Sequence, residues 1–257
     1  MRQDFDADHI KVKSLYKALL ILEEFMKTDT FLGVNQIAES LALPKSTVSN
    51  ILSVYESRGF VERDAHSGKF KLGIKALELS NHTYQTNDVR RILQPYMQEL
   101  GRFSMENVLL ATYNAGEVVY IGAVHEERST FSGRYLIGVR APAYCTGIGK
   151  AMLAFLGEKE LQRVVEEGLR PFTENTIVDE KRLRDEMETV RRQGYAVDNM
   201  EHEFGIKCVG VPVRNAEGEV IAGLSISGPS LRMSEEKIRE YSVQLMDAAK
   251  KASSMLI

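Results

Sequence analysis

Residues 37–52, IAESLALPKSTVSNIL, decide how this chain is read. Proline disfavours helical geometry at its predecessor, so Leu43-Pro44 closes one helix and Lys45 opens another. Upstream, Val34 to Leu41 keeps helical spacing of its apolar residues over about two turns. Downstream, Val48, Ile51, Leu52 and Tyr55 recur at the same spacing and face inward. That arrangement leaves Lys45, Ser46, Thr47, Ser49 and Asn50 on the outer, N-terminal part of the later helix. Short polar side chains there can hydrogen-bond phosphate oxygens and base edges, whereas a merely solvated face more often carries Glu and Lys at complementary spacing. The segment alone also fits a helical hairpin with a Ser/Thr-rich cap.

Working outward from this pair, Leu15, Ala18, Leu19, Leu22, Phe25 and Met26 recur at spacings of three and four, which predicts an amphipathic helix over 14–27 with Ser14 as its N-cap. On the other side, Gly59 ends the recognition-type helix. Phe60 to Arg63 reads as a strand, His66-Ser67-Gly68-Lys69 as a turn, and Phe70 to Leu72 as the return strand. Such a hairpin is a wing, whose tip offers Lys69 and His66 to a phosphate or the minor groove. Helices followed by a basic-tipped hairpin imply a winged helix-turn-helix that binds double-stranded DNA.

Charge agrees without deciding the matter. The whole chain carries a formal charge of -3, but residues 11–75 hold 10 Lys and Arg against 7 Asp and Glu, and residues 76–257 hold 22 against 26. A positive excess of that size suits phosphate contacts and equally suits a solvated surface. The 257 residues, 44% apolar and 27% charged, leave room for two cores of unequal size. No segment has the roughly eighteen uninterrupted apolar residues of a membrane helix, and MRQDFDADHI lacks a basic and then apolar signal region, so a cytoplasmic location is expected. Cys145 and Cys208 lie too far apart for a local metal pair, and a reducing compartment argues against a disulfide.

The expected domains are a DNA-binding module at 11–74, a linker helix at 75–90 and a ligand-binding domain at 91–257. A helix over 88–102 accommodates Pro95 only at the first turn of a second part, because a mid-helix proline kinks or breaks the helix. Strands are expected at 107–113, 117–123 and Tyr135-Leu136, then helices at 147–156, 158–168 and 179–193, strands at 208–214 and 220–227, and a closing helix from Ser234. This order implies an α+β fold with helices packed on one sheet.

Within that domain, Gly147 and Gly149 let the backbone at a helix start pass close to a ligand, where free amides favour an anion such as a carboxylate, or serve close packing alone. Neither a GxGxxG nor a GxxxxGK[ST] spacing is present, so no nucleotide site and no cofactor is read. Ser225 and Ser227 flank Ile226 and share one face of a strand. Buried hydroxyls need partners, which backbone or a ligand can supply.

The chain resembles the isocitrate lyase regulator (IclR) family of winged-helix transcription factors. The likeness runs through KALLILEEF (17–25), IAESLALPKSTVSNIL and RGFVERDAHSGKFKLG (58–73) and continues through most of the chain. It implies a GAF-like effector domain, a third helix that places Lys45, Ser46, Thr47, Ser49 and Asn50 at the operator, and a module that dimerises, so that homodimers or homotetramers read a pseudo-palindromic site. The resemblance also implies an effector pocket at Gly147, Ile148, Asp198, Cys208, Ser225 and Ser227 for small organic acids or aromatic compounds. In the working arrangement, the Gly147 and Ile148 amides and both serines hold a carboxylate while Asp198 accepts from a ligand hydroxyl. Where family members often have Leu-His, this chain has Ala143-Tyr144, a tyrosine that can narrow the site or donate a hydrogen bond.

Competing readings are an enzyme with Cys208 as nucleophile and His202 or His125 as base, a metal or redox sensor using Cys145, Cys208, His125 and His202, and an architectural DNA-binding protein without an effector. The first lacks a third catalytic group and the second lacks paired ligand spacing, so neither catalysis nor a metal is expected.

Overall fold

The computed structural model describes residues 10–125 and 136–256. The chain divides into two compact units after Thr86.

The N-terminal unit runs α1 (Lys13–Glu24) with a closing 3-10 turn (Phe25–Lys27), α2 (Val34–Ser40), α3 (Lys45–Ser57), the hairpin β1 (Val61–Arg63) and β2 (Phe70–Leu72), and α4 (Ile74–Thr86). Its core gathers Ile21, Phe25, Ile37, Val48, Leu52, Val61 and Phe70. Leu32 and Phe70 exchange backbone hydrogen bonds of 2.8 Å in each direction, tying the wing to the approach of α2. At the wing turn, Asp64 Oδ2 accepts from the Ser67 amide at 2.7 Å and the Ser67 hydroxyl at 2.6 Å, and these bonds hold the Asp64 carboxyl below its ordinary range.

Two expectations for α1 need correction. The helix begins at Lys13 with Val12 as a cap that makes no side-chain bond, so Ser14 lies inside it. Leu15, Leu19 and Met26 are exposed, and burial falls on Ile21 and Phe25. The helix carries apolar residues on two sides, and the core covers one of them.

The C-terminal unit comprises α5 (Asp88–Ser104), β3 (Asn107–Asn114), β4 (Glu117–Val124), β5 (Arg140–Pro142), a 3-10 turn at Ala143–Cys145, α6 (Gly147–Leu153), α7 (Glu158–Glu167), α8 (Glu180–Gln193), β6 (Ala196–Asn199), β7 (Ile206–Arg214), β8 (Val220–Pro229) and α9 (Glu235–Ser253). One six-stranded sheet has the order β5-β4-β3-β8-β7-β6, with every adjacent pair antiparallel. Against one face lie α5 and α9, through Leu93, Met97, Tyr241 and Leu245 packed on Val108, Leu110, Val209 and Ile226. Against the other lies α6, whose Ile148 and Met152 join Leu109, Ala111 and Tyr120. Outside α6, Leu161, Val164, Leu183 and Met187 of α7 and α8 complete a further cluster with Ala151 and Leu153. The architecture is the α+β arrangement of helices on one sheet, preceded by a winged helix-turn-helix.

Pro95 sits inside α5 without ending it, at an exposed position between the buried Leu93 and Met97. The carbonyl that loses its donor therefore belongs to the solvent side, while packing holds the inner face. Neither β5 nor β6 was expected from the sequence, since three and four residues are too short to show an alternation. Leu136 is not in a strand, and Tyr135 lies outside the described residues.

Candidate functional site

At the start of α3, Lys45, Ser46, Ser49 and Asn50 are exposed and Thr47 is half-buried beside the buried Val48. Pro44 supplies no side-chain acceptor to the first helical amides, which stay open to an outside acceptor such as a phosphate oxygen. Ser53, also exposed, continues the stripe of Ser46, Ser49 and Asn50 at helical spacing. Reading only the front of the helix missed it. On the wing, Lys69 and His66 are exposed. Neighbouring cations are engaged: Arg63 lies over the Phe70 ring at 4.6 Å and pairs with Glu56, and Lys71 pairs with Glu62 at 3.3 Å. Among the described residues Lys69 makes no ion pair, so its charge is available to a ligand.

In the C-terminal unit, strand register settles which residues share a face. Val197, Val209, Ile226 and Val108 belong to the core under α5 and α9. Their successors and predecessors along the strands, Asp198, Cys208, Ser227 and Asn107, therefore face the α6 side, and register pairs them in that order across β6, β7, β8 and β3. One pleat further along, Ser225 lies on the same face between Gly210 and Leu109. Its hydroxyl is wholly buried and makes no hydrogen bond of ordinary geometry, although it stands close enough to the Cys208 thiol to favour the ionised sulfur slightly. Ser227 is half-buried.

The start of α6 is pressed onto this face. A methyl group on Gly147 would stand 2.9 Å from the Cys208 carbonyl oxygen and 3.2 Å from its sulfur, and one on Gly223 would stand 2.7 Å from the Ile148 side chain. These glycines are contact points between helix and strand. The Ile148 amide is directed at the Cys208 sulfur, so it is committed within the fold.

Charge is concentrated beside the row. Lys150, 1% exposed, lies 2.9 Å from Glu186 Oε1 and 2.5 Å from Glu201 Oε1. Glu201 Oε2 is buried without a partner, and burial pushes this carboxyl above its ordinary value against the pull of Lys150. Asp198 Oδ1 accepts from the Glu201 amide at 2.6 Å. Burial, with the Glu201 charge adding to it, pushes the Asp198 carboxyl up to about 7, against that hydrogen bond and Lys150. Because Lys150 already faces two carboxylates, an anion on this face must be held by neutral donors or by a group at the lip. Asp198 can accept a hydrogen bond when ionised and donate one when protonated.

Both cysteines are buried thiols. Burial raises each of them, Cys208 up to about 12, which disfavours the thiolate that nucleophilic or redox chemistry needs. His202 lies against Phe172 with ring centroids 5.2 Å apart and the ring planes tilted by 44°, and among the described residues no group of three or more His, Cys, Asp and Glu is arranged to hold a metal. The Tyr144 hydroxyl is engaged within the fold: it donates to the Arg170 carbonyl at 2.7 Å and accepts from the Arg170 amide at 2.8 Å. The expectation that it donates to a ligand is therefore corrected. A separate cavity of about 300 Å³ between Phe155, Val211, Arg214, Met246 and Lys250 contains none of the residues of the polar row. No helix among the described residues is long and apolar enough to cross a membrane.

Comparison with known proteins bears on both surfaces. The family described as bacterial transcriptional regulator IclR C-terminal matches residues 81–254, and the IclR helix-turn-helix domain matches residues 14–65. The HTH-type transcriptional regulator KdgR of Escherichia coli strain K12 is 35% identical over 257 residues, covering 98% of this chain and 96% of the relative. The HTH-type transcriptional repressor AllR of Salmonella paratyphi A is 34% identical over 245 residues, covering 95% of this chain and 90% of the relative. The crystal structure of the Thermotoga maritima IclR superposes with a TM-score of 0.72 at 36% identity, over 95% of this chain and 99% of that one.

Proposed function

Because the chain belongs to the IclR family of bacterial transcriptional regulators, we propose that α3 and the wing read an operator while the C-terminal unit binds a small organic acid that changes operator affinity. One observation carries the effector half of this reading. The Ser225 hydroxyl is fully buried and unsatisfied on the face that also holds Asp198, Cys208 and Ser227. A buried polar group without a partner costs about 1–3 kcal/mol, and a ligand oxygen removes that cost. Ser225 and Ser227 donate to the ligand carboxylate, and Asp198 holds a ligand hydroxyl. Gly147 and Ile148 bring the wall of the site against Cys208, with the carboxylate held by the serines.

The operator half rests on the exposed stripe Ser46, Ser49, Asn50 and Ser53 with Lys45 and Lys69 beside it. Thr47, half-buried, contributes through its backbone at the helix start. At the cap of α1 and along it, Val12, Leu15 and Leu19 are about half exposed, a surface suited to a second copy and hence to a two-fold operator. The coupling between ligand and DNA equals the difference in ligand affinity for the DNA-competent and DNA-incompetent arrangements, typically about 1–3 kcal/mol.

The test is selection of bound duplexes from a randomised DNA pool, followed by anisotropy measurements with and without two- to seven-carbon hydroxy, keto and aromatic acids. Sequence-selective binding that at least one acid shifts fivefold or more is the expected result. Failure to retain any duplex at low salt, with and without acids, overturns the operator reading. Selective binding that no acid alters leaves an architectural DNA-binding protein.

A further inference from the structure

At one end of the sheet, β7 outruns its outer neighbour. It spans Ile206–Arg214, but β6 pairs with it only from Lys207 to Gly210. Among the described residues no strand covers that edge from Val211 to Arg214. Beside it lie Phe155, Gly194 at the end of α8, and the face of α9 that carries Met246, Ala249, Lys250 and Ser253 at helical spacing. The space between them is the cavity of about 300 Å³, which none of the effector residues lines. An open strand edge invites another strand, but Pro212 has no amide N–H to donate and blunts this one. The cavity therefore suits a compact molecule, at the small end of ligand pockets, better than an extended peptide.

Charge says what that molecule carries. Among the residues that line the cavity, Arg214 and Lys250 are charged and no carboxylate accompanies them. Arg214 lies over the Phe155 ring at 4.2 Å and donates to the Gly218 carbonyl at 3.0 Å, contacts that fix the guanidinium and leave most of its N–H fork to a further acceptor. Lys250 is exposed at the lip and, among the described residues, makes no ion pair. A cation in the last turn of α9 also complements the helix dipole, but Lys251, paired with Asp247 at 2.6 Å, already fills that role. Two cations at one mouth repel each other, and an anion between them turns repulsion into attraction. The remaining walls are apolar, with Met246 an adaptable thioether among them. We propose that this cleft is a second ligand site, apart from the effector face and independent of the effector reading, for a compact apolar monocarboxylate. The ring or short chain of the ligand lies between Phe155 and Met246, and its carboxylate meets Arg214 and Lys250.

Methionine methyl NMR of the full chain, with benzoate as the probe and benzyl alcohol as its uncharged counterpart, tests this. Met246 reports on the cleft and Met152 on the effector face, and Met246→Leu and Met152→Leu identify the two signals. Benzoate is expected to shift the Met246 methyl saturably, with benzyl alcohol binding about tenfold or more weakly. Lys250→Ala, at an exposed position that tolerates truncation, is expected to weaken benzoate about fivefold or more and to leave benzyl alcohol unchanged, and Arg214→Gln to act in the same selective way. Ser225→Ala, which alters the effector face alone, is expected to preserve the Met246 response. Absence of a saturable Met246 shift at millimolar benzoate overturns the site. Equal binding of benzoate and benzyl alcohol, or of benzoate to Lys250→Ala and wild type, overturns the carboxylate class. A Met246 response that Ser225→Ala abolishes arises at the effector face and overturns the second site, whatever becomes of the effector reading.

Discussion

Gly210 of β7 and Gly147 at the start of α6 meet backbone to backbone: a methyl group on Gly210 would stand 2.7 Å from the Gly147 carbonyl oxygen and from the Ile148 amide nitrogen. Neither neighbour is a flexible side chain that can swing aside. Gly210→Ala must therefore lift α6 from the sheet, at a cost of about 1–3 kcal/mol typical of overpacking. Thermal unfolding followed by circular dichroism is expected to show a midpoint lowered by several degrees. An unchanged midpoint would mean that helix and strand stand further apart than this contact requires.

Lys150 is the second test of the same wall. Burial opposes its charge, but Glu201 and Glu186 outweigh that penalty and raise its pKa. Lys150→Met leaves a buried Glu201 facing no cation, which costs about 3–5 kcal/mol. Adding Glu201→Gln to Lys150→Met is expected to recover a large part of the loss, because the uncompensated charge is then gone. Urea denaturation of the two variants reads both effects, and equal stabilities for the single and double variants would contradict the ion pair.

How much of this was legible in the sequence depends on whether the signal was local. Pro44 and the spacing of Val48, Ile51 and Leu52 announce α3, and Ser225 and Ser227 announce a shared face because strand alternation is set by neighbours alone. Lys150 had a local signal too, a single charge in the apolar run Gly147-Ile148-Gly149-Lys150-Ala151-Met152-Leu153, which marks a buried cation. The 2.7 Å contact between Asn107 Oδ1 and His125 Nδ1 had none. Counted back from the Asn114–Glu117 turn, Asn107 would oppose Val124, but a register shift between Leu110 and Ala111 moves the pairing by one residue. For the same reason of non-local cause, Leu15 and Leu19 could not be told from core residues: their spacing is helical, and only the placement of α2 and α3 leaves them outside.

On the proposed operator surface, Lys69 and Asn50 are expected to separate two kinds of contact. Lys69→Ala is expected to weaken binding to all duplexes alike and to reduce the slope of log affinity against log salt by about one for each module. Asn50→Ala is expected to cost about 1–3 kcal/mol on the selected sequence and little on random DNA, since base-edge contacts specify and phosphate contacts position. Anisotropy titrations over a series of salt concentrations measure both. A sequence-independent loss for Asn50→Ala would move that residue from the bases to the backbone.

Asp198 makes the stability of the C-terminal unit depend on pH, with a sign fixed by its environment. Its carboxyl titrates at about 7 in the folded chain, against an ordinary 3.8, because burial disfavours the charged form. The folded state thus holds its proton where the unfolded state has lost it, and stability falls with rising pH wherever the folded state binds more protons. This contribution is fully present below the unfolded value, declines as pH rises above about 4, and is lost once pH passes about 7. The two values bound it at about 4 kcal/mol. Asp198→Asn keeps an oxygen that can accept from the Glu201 amide but does not ionise, so subtracting its pH profile from that of wild type isolates the carboxyl. Chemical denaturation from pH 4 to pH 8 is expected to show the wild type losing stability relative to the variant across that window. Parallel profiles would place Asp198 in water, and with it would go the buried polar row that the effector reading requires.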